Sequence, residues 1–409
     1  MKPVATQGLA TGAPAARATV TAQGPVLDPK PAIAGGEPLR ILHVIAETGY
    51  SGGEVQLERL VADLQRRGHD NHVAVPRGAA FADVAAQIGA PVLDMSMHRP
   101  WHSCAVGQLR AAVRRLRPDV VHLGCGRSTL WGGMALFGMR EPVKVTTRRI
   151  DYPVGRAPWR GWRYRKLVDH VVANCKAVRE RFLAAGVDPS RVSLVYEGID
   201  VSHWVHAGEE RLAARRRLRI PDDAKVVSCA ATLRPRKGHK TLIEAFRGVV
   251  RRFPDAILIL AGSGSDHEAL VRHANAAGLA DNVWLPGPVR PVRDLYAASD
   301  IAVMASYYEG LSNACLEAAA SGLPLVVSAV GGLPEIVEDG ETGFVVRAGE
   351  ASAFEDRIIR LLADDEFRAA AGRKGSERVR EHFPAERMSL EMEVLFSRLV
   401  AERRALRMR

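Results

Sequence analysis

The sequence lacks the features that would assign it to several large classes. It has only five cysteines in 409 residues: Cys104, Cys125, Cys175, Cys229 and Cys315. They are odd in number and scattered, with no Cys-x-x-Cys pair, which argues against a disulfide frame or a structural zinc site. Free thiols in a reducing cytosol are the expectation. Long apolar runs are missing as well. The longest, such as 256–262 and 323–333, fall far below the roughly 18 residues that a bilayer-spanning helix needs. No Asp-x-Asp pair sits at a strand end to hold a diphosphate-bound divalent ion, so no metal site is expected. There is no short-period repeat. RNP, zinc and helix-turn-helix signatures are absent too, and nucleic acid is not an expected partner.

What the chain does contain is 47% hydrophobic and 25% charged residues, which excludes a wholly disordered or fibrous polymer. Its length suits two domains. Lys and Arg number 57 against 46 Asp and Glu, a net charge of +11 that is compatible with anionic surfaces or substrates. Much of this charge reads as the wet face of helices. In 107–117, for example, Leu109, Val113 and Leu116 form the buried stripe and Arg110, Arg114 and Arg117 face water. The run from Trp159 to Lys166 differs, because it mixes aromatics with cations as a lipid headgroup layer requires. It predicts a cytoplasmic protein with peripheral contact to an anionic membrane surface.

Residues 1–38 are rich in Ala, Pro, Gly and Thr without apolar periodicity or an apolar h-region, and read as a disordered extension. From Leu39 the pattern changes. Buried-strand runs at 40–45, 72–75, 119–122, 144–147 and 170–173 alternate with helical stretches. The rhythm stalls in an Arg-rich segment and restarts at 225–231, 256–261, 282–285, 300–305, 325–328 and 343–347. Two such series predict an α/β chain of two Rossmann-like domains, 39–200 and 223–385, joined by a hinge at 201–222. A helix over 386–409 is expected to return to the first domain. Ligands of parallel sheets bind at the carboxyl ends of the strands, so two facing domains predict an interdomain cleft.

Three segments follow predicted strands and carry candidate chemistry. In Tyr308-Glu309-Gly310-Leu311-Ser312-Asn313, Gly310 lets backbone approach a ligand, and the amides of Leu311, Ser312 and Asn313 open a helix suited to phosphate. Glu309 precedes that helix and Glu317 projects from it, two carboxylates able to accept from sugar or ribose hydroxyls. The same pattern is also that of an ordinary helix with an acidic first turn. Arg234-Pro235-Arg236-Lys237-Gly238 gathers cations that can neutralise a diphosphate without metal, or forms a solvated basic turn. Gly262-Ser263-Gly264 lacks the third glycine of a dinucleotide fingerprint, since position 267 is His.

Together, Glu309 with Glu317, Lys237-Gly238, and Gly52-Gly53 after the first strand resemble the retaining family-4 glycosyltransferases of GT-B fold. Tyr196-Glu197-Gly198-Ile199-Asp200 is similar to that family's "NGID" segment, with Glu197 in place of Asn. Gly331-Gly332-Leu333-Pro334-Glu335 and Gly340-Glu341-Thr342-Gly343 match its C-terminal half. The resemblance implies a nucleotide-sugar co-substrate, with no other cofactor, and a glycan or lipid-linked acceptor of the cell envelope. It implies that Glu317 holds ribose, Glu309 meets the donor sugar, and the backbone near Val289 faces the base. Gly52 and Gly53 would close on the diphosphate, and Lys237 would stabilise the leaving phosphate.

Three departures stand out. Thr232 occupies the family's usual Arg position, with Arg234 nearby. Arg148-Arg149, with Asp151 following, replaces a His after the strand at 144–147. Gly124 replaces the second His of a His-x-His, leaving His122. The acceptor-side candidates are therefore His122, Arg149 and Asp151. A non-catalytic GT-B scaffold and a nucleotide-sugar epimerase of the same fold remain alternatives.

Overall fold

The computed structural model describes residues 37–96, 103–152, 158–204 and 208–408. Nearly all of the extension expected over 1–38 lies outside them. The chain divides into two compact units. One runs up to Gly198 and resumes at Phe383, and the other spans Ile199–His382.

The N-terminal unit is built on seven parallel strands: β1 (Arg40–Val44), β2 (Asp70–Pro76), β3 (Val92–Met95), β4 (Val120–Leu123), β5 (Val143–Arg148), β6 (His170–Ala173) and β7 (Val192–Leu194). Their order is β3-β2-β1-β4-β5-β6-β7, so the chain reverses direction across the sheet between β1 and β4. Side chains alternate between two cores, as a pleated strand demands. Leu42, Val44, Val121 and Leu123 face a cluster with Trp131, Tyr164 and Phe182. Ile41, Val120 and Val145 face the other way, onto Leu57, Leu60 and Leu64 of the helix Gly52–Arg66. That second core is completed by Met388, Met392, Leu395 and Phe396 of the C-terminal helix Ala385–Arg407. Polar contacts fix the helix in place: Ser389 donates to Asp63 at 2.6 Å, and Glu393 meets His69 at 3.1 Å and Arg67 at 3.2 Å.

The second unit repeats the plan with six parallel strands: β8 (Val226–Ala230), β9 (Ile257–Ala261), β10 (Val283–Gly287), β11 (Ile301–Met304), β12 (Leu325–Ser328) and β13 (Gly343–Val346). The order β10-β9-β8-β11-β12-β13 puts the reversal between β8 and β11. One face packs Val227, Cys229 and Leu258 against Phe246, Phe354 and Ile358, and the other packs Val226, Ile257 and Ile259 against Ala214 and Leu295.

The expected hinge at 201–222 needs correcting. It holds a 3-10 turn, Val201–Trp204, and a helix, Gly208–Leu218, that belongs to the second unit. Of the arginines in this Arg-rich stretch, Arg215 is buried, whereas Arg216, Arg217 and Arg219 are exposed. Arg215 is 1% exposed and donates to the carbonyls of Ala298 (3.1 Å) and Asp222 (2.6 Å) and to Asp300 (3.2 Å). Arg217 pairs with Asp294 at 2.8 Å. All five cysteines are free.

Candidate functional site

The reversal between β8 and β11 brings two loops together at the carboxyl edge of the second sheet, where ligands of such sheets bind. The loop after β8 turns through Pro235–Lys237 and enters the helix His239–Arg252 at Gly238. Gly238 has φ +67, and a Cβ there would stand 2.0 Å from the Ala305 carbonyl oxygen, so no other residue fits. The Tyr307 amide donates to the Arg236 carbonyl at 2.8 Å and joins the two loops. A third loop, after β12, closes on them: Gly331, at φ +55, lies against the Glu309 carbonyl, and the Gly332 amide donates to Gly310 at 3.0 Å.

At this junction the Lys237 ammonium donates to Glu309 Oε2 at 2.5 Å, with both side chains one-tenth exposed. Ser306 Oγ donates to the same oxygen at 3.0 Å. Glu309 Oε1 has no partner among the described residues. Two of the three ammonium protons of Lys237 likewise have no described acceptor. A buried charge pair held in this way is expensive to maintain for stability alone. Leu311 and Ser312 are buried, Ser312 caps the helix Asn313–Ala320, and half-buried Glu317 lies on it. Burial pushes the thiols of Cys229 and Cys315, beside the pair, up to about 12, which leaves them as inert packing.

Arg234 stands at the start of the basic turn, and its side chain is exposed and makes no capping hydrogen bond. Half-buried Val289 lies just past β10 and packs against the second core of its unit. Sequence reasoning did not single out Ser306, although a Ser three residues before a site Glu is a readable signal.

In the N-terminal unit Gly52 begins the helix after β1, and Gly53 follows it, half-buried. Arg149, just past β5, donates to Glu197 Oε1 at 2.5 Å and to the Gly124 carbonyl at 2.8 Å. Glu197 also accepts from Asn174 Nδ2 at 3.1 Å. Asp151 is buried and accepts from Arg181 at 2.7 Å, so it serves local structure.

His122 is a correction. It shares the parity of Val120, faces the C-terminal helix and is 0% exposed. Its ring lies 5.8 Å from that of Phe396, and its nitrogens contact His43 Nδ1 at 3.1 Å and Thr147 Oγ1 at 2.8 Å. Burial holds its pKa well below the usual imidazole value and drives that of His43 down to about 4. A neutral, fully enclosed imidazole cannot meet an acceptor.

Two family models match the chain: Glycosyltransferase Family 4 over residues 50–203 and Glycosyl transferases group 1 over residues 210–378. Each falls on one Rossmann-like unit. The chain belongs to the family-4 glycosyltransferases.

Its relatives include a D-inositol 3-phosphate glycosyltransferase of Corynebacterium glutamicum, 37% identical over 47% of this chain and 48% of that protein. A lipopolysaccharide core biosynthesis glycosyltransferase of Rhizobium meliloti is 29% identical over 68% of this chain and 76% of that one. The chain spans about half the length of the first of these curated relatives. Among solved structures, Anabaena HepE in complex with UDP-glucose superposes with a TM-score of 0.77 at 21% identity, over 89% of this chain and 98% of that one. That likeness assigns this family-4 chain the GT-B fold.

Proposed function

We propose that the protein is a retaining, metal-independent glycosyltransferase. In this reading it moves a sugar from a nucleotide-sugar donor to a glycan or lipid-linked acceptor of the cell envelope. The observation that carries the reading is the buried Lys237–Glu309 pair at the β8/β11 reversal, beside the start of the helix Asn313–Ala320. The donor C1–O bond breaks with its electron pair passing to the diphosphate. The acceptor hydroxyl oxygen then bonds to C1, and its proton leaves with the released diphosphate. Lys237 supplies positive charge where negative charge grows, which is the contribution a preorganised site makes best. Arg234 adds a lesser, exposed charge. Glu309 Oε1 accepts from donor sugar hydroxyls, Glu317 from the ribose, and Gly310 to Asn313 receive phosphate. Gly52 and Gly53 meet the diphosphate, and Val289 lies by the base.

UDP-glucose is the first donor to test, because HepE was solved in complex with it. The lipopolysaccharide relative supports an envelope acceptor. Turnover of radiolabelled UDP-glucose and a panel of other nucleotide sugars is expected to persist in EDTA, with the product anomer matching the donor by NMR. Activity abolished by EDTA and restored by Mn²⁺ would refute metal independence, and an inverted anomer would refute retention.

The reading includes a cytoplasmic location with peripheral contact to anionic membrane. No helix among the described residues is long and apolar enough to cross a membrane. The cluster expected from Trp159 falls on the helix Pro158–Lys166, where Trp162 and Lys166 are exposed and Tyr164 is buried. The side chains of Trp159 and Arg160 lie outside the described residues. Exposed Met134 and Phe137 in the same unit add apolar surface. Salt-sensitive sedimentation with anionic but not neutral vesicles is the expected result, and equal binding to both would count against it.

A further inference from the structure

Two departures from the family pattern meet in the N-terminal unit. Glu197 stands where the NGID-like segment usually has Asn, and Arg149 stands where a His is usual after β5. Separated by 48 positions in sequence, they form a direct ion pair at 2.5 Å.

The neighbours of Arg149 are already committed. Arg148 donates to the Ile150 carbonyl at 2.9 Å and to that of Tyr152, and lies over the Phe182 ring at 5.6 Å. Asp151 is taken by Arg181. Arg149 differs from both. Its Nε and Nη1 are used by Glu197 and the Gly124 carbonyl, but Nη2 has no partner among the described residues, and the side chain is 17% exposed. The position is the carboxyl edge of the sheet, close to the β1/β4 reversal, with the Arg149 stem 3.6 Å from where a Gly53 Cβ would be. A guanidinium held at Nε and Nη1 with Nη2 uncommitted keeps its orientation and can donate to an oxygen of a carboxylate or phosphate.

Glu197 is the fixing element. Its side chain is 7% exposed and Asn174 holds its second oxygen. Burial pushes its pKa up, while Arg149, Asn174 and Arg59 pull it down. Burial outweighs them, so the net direction is up, and the 2.5 Å contact with a guanidinium is what favours the charged carboxylate. Arg59 donates to the Gly198 carbonyl at 2.9 Å and also acts on this carboxylate, so the group Arg59, Arg149 and Glu197 keeps a surplus positive charge.

Resting on the transferase reading, we propose that Arg149 is the residue with which the N-terminal unit binds an oxyanion on the acceptor, a phosphate or a carboxylate. Glu197 is a positioning residue that aims it.

The test uses the full chain carrying Lys237→Ala, which weakens the anion site of the other unit. Inorganic phosphate and acetate are titrated separately at constant ionic strength, with the melting temperature as the readout. A saturable rise is expected, stronger with the ion that matches the acceptor group. Adding Arg149→Gln should weaken it about tenfold or more, the scale of a lost charge-assisted hydrogen bond. Glu197→Ala raises the local positive charge by one, yet it should also weaken binding, because the fork loses its anchor. Glu197→Gln keeps an acceptor oxygen and a similar shape, so it should fold and fall in between. Unchanged affinity in Arg149→Gln overturns the proposal. So does tighter binding in either Glu197 variant, the outcome for undirected charge, or the lack of any saturable shift with both ions up to tens of millimolar. Thermal shift of the wild-type chain by UDP-glucose reads the donor site separately, so a failure of the transferase reading is distinguishable from a failure of this one.

Discussion

The two units share one strand order but use their sheet edges differently. In the C-terminal unit the candidate residues Lys237 and Glu309 lie beyond the ends of β8 and β11, on loops knitted by Gly238 and Gly331 into a single site. In the N-terminal unit the most suggestive side chain, His122, lies inside β4, and its parity sends it into the core beneath Phe396. The difference is one of register. A polar residue within a parallel strand is covered by helices on both faces of the sheet, whereas one a few residues past the strand end emerges at the edge where ligands bind. The residue type alone does not distinguish the two cases.

The sharpest way to break this comparison is Lys237→Ala. If the C-terminal edge carries the charge-stabilising work, kcat should fall by about 10² to 10³, the cost of removing one preorganised stabiliser. A normal kcat would end the mechanism. The inward-turned imidazoles of the other unit predict a stability effect instead. The pKa values of His43 and His170 are driven down to about 4 by burial, and that of His122 also falls well below its usual value. The unfolded chain takes up protons near pH 6.5 and the folded chain does not, so the stability these groups supply is complete above that pH. It is lost as pH falls towards about 4. For His43 alone the loss is on the order of 3 kcal/mol. Among the described residues of the second unit, His239 alone shows the same shift, also to about 4. Hydrogen exchange between pH 7 and 5 should therefore show the N-terminal unit loosening first. Equal loosening of both units would contradict the comparison.

Much of this architecture was legible in the pattern of residues. Eleven strands announce themselves as apolar runs, and the loops after β8 and β11 were readable as cations beside a glycine and a carboxylate before a helix. Two strands were not legible. β3 is four residues with Asp94 in the middle, and β7 is three residues with Ser193 in the middle, too short to set a period. The hinge misled because arginine composition looks the same in a linker and around a half-buried Asp300. The Arg149–Glu197 pair was visible only as two separate oddities, since nothing in either segment says that they touch. Contacts between distant segments depend on which strands are neighbours, which hydrophobic periodicity does not encode.

Two smaller effects grade the C-terminal edge. Glu317 is half-buried on the helix that Ser312 caps, and its proposed partner, the ribose, changes little during the reaction. Glu317→Ala should therefore raise the donor KM about tenfold and leave kcat nearly unchanged, because uniform binding is what is lost. Arg234 should matter least. Its backbone is fixed in the turn, with its carbonyl accepting from the Lys237 amide at 2.9 Å, but its side chain is exposed and has no hydrogen bond among the described residues. An exposed cation is screened by water and salt, and its interactions are typically worth about 0.2 to 1 kcal/mol. Arg234→Ala should thus lower kcat by less than about fivefold, and by less still in high salt. Measured beside Lys237→Ala, a salt-insensitive loss of about 10² in Arg234→Ala would reverse this ranking. It would mean that Arg234 reaches the diphosphate in place of an arginine at Thr232, and that the site is completed only when the donor binds.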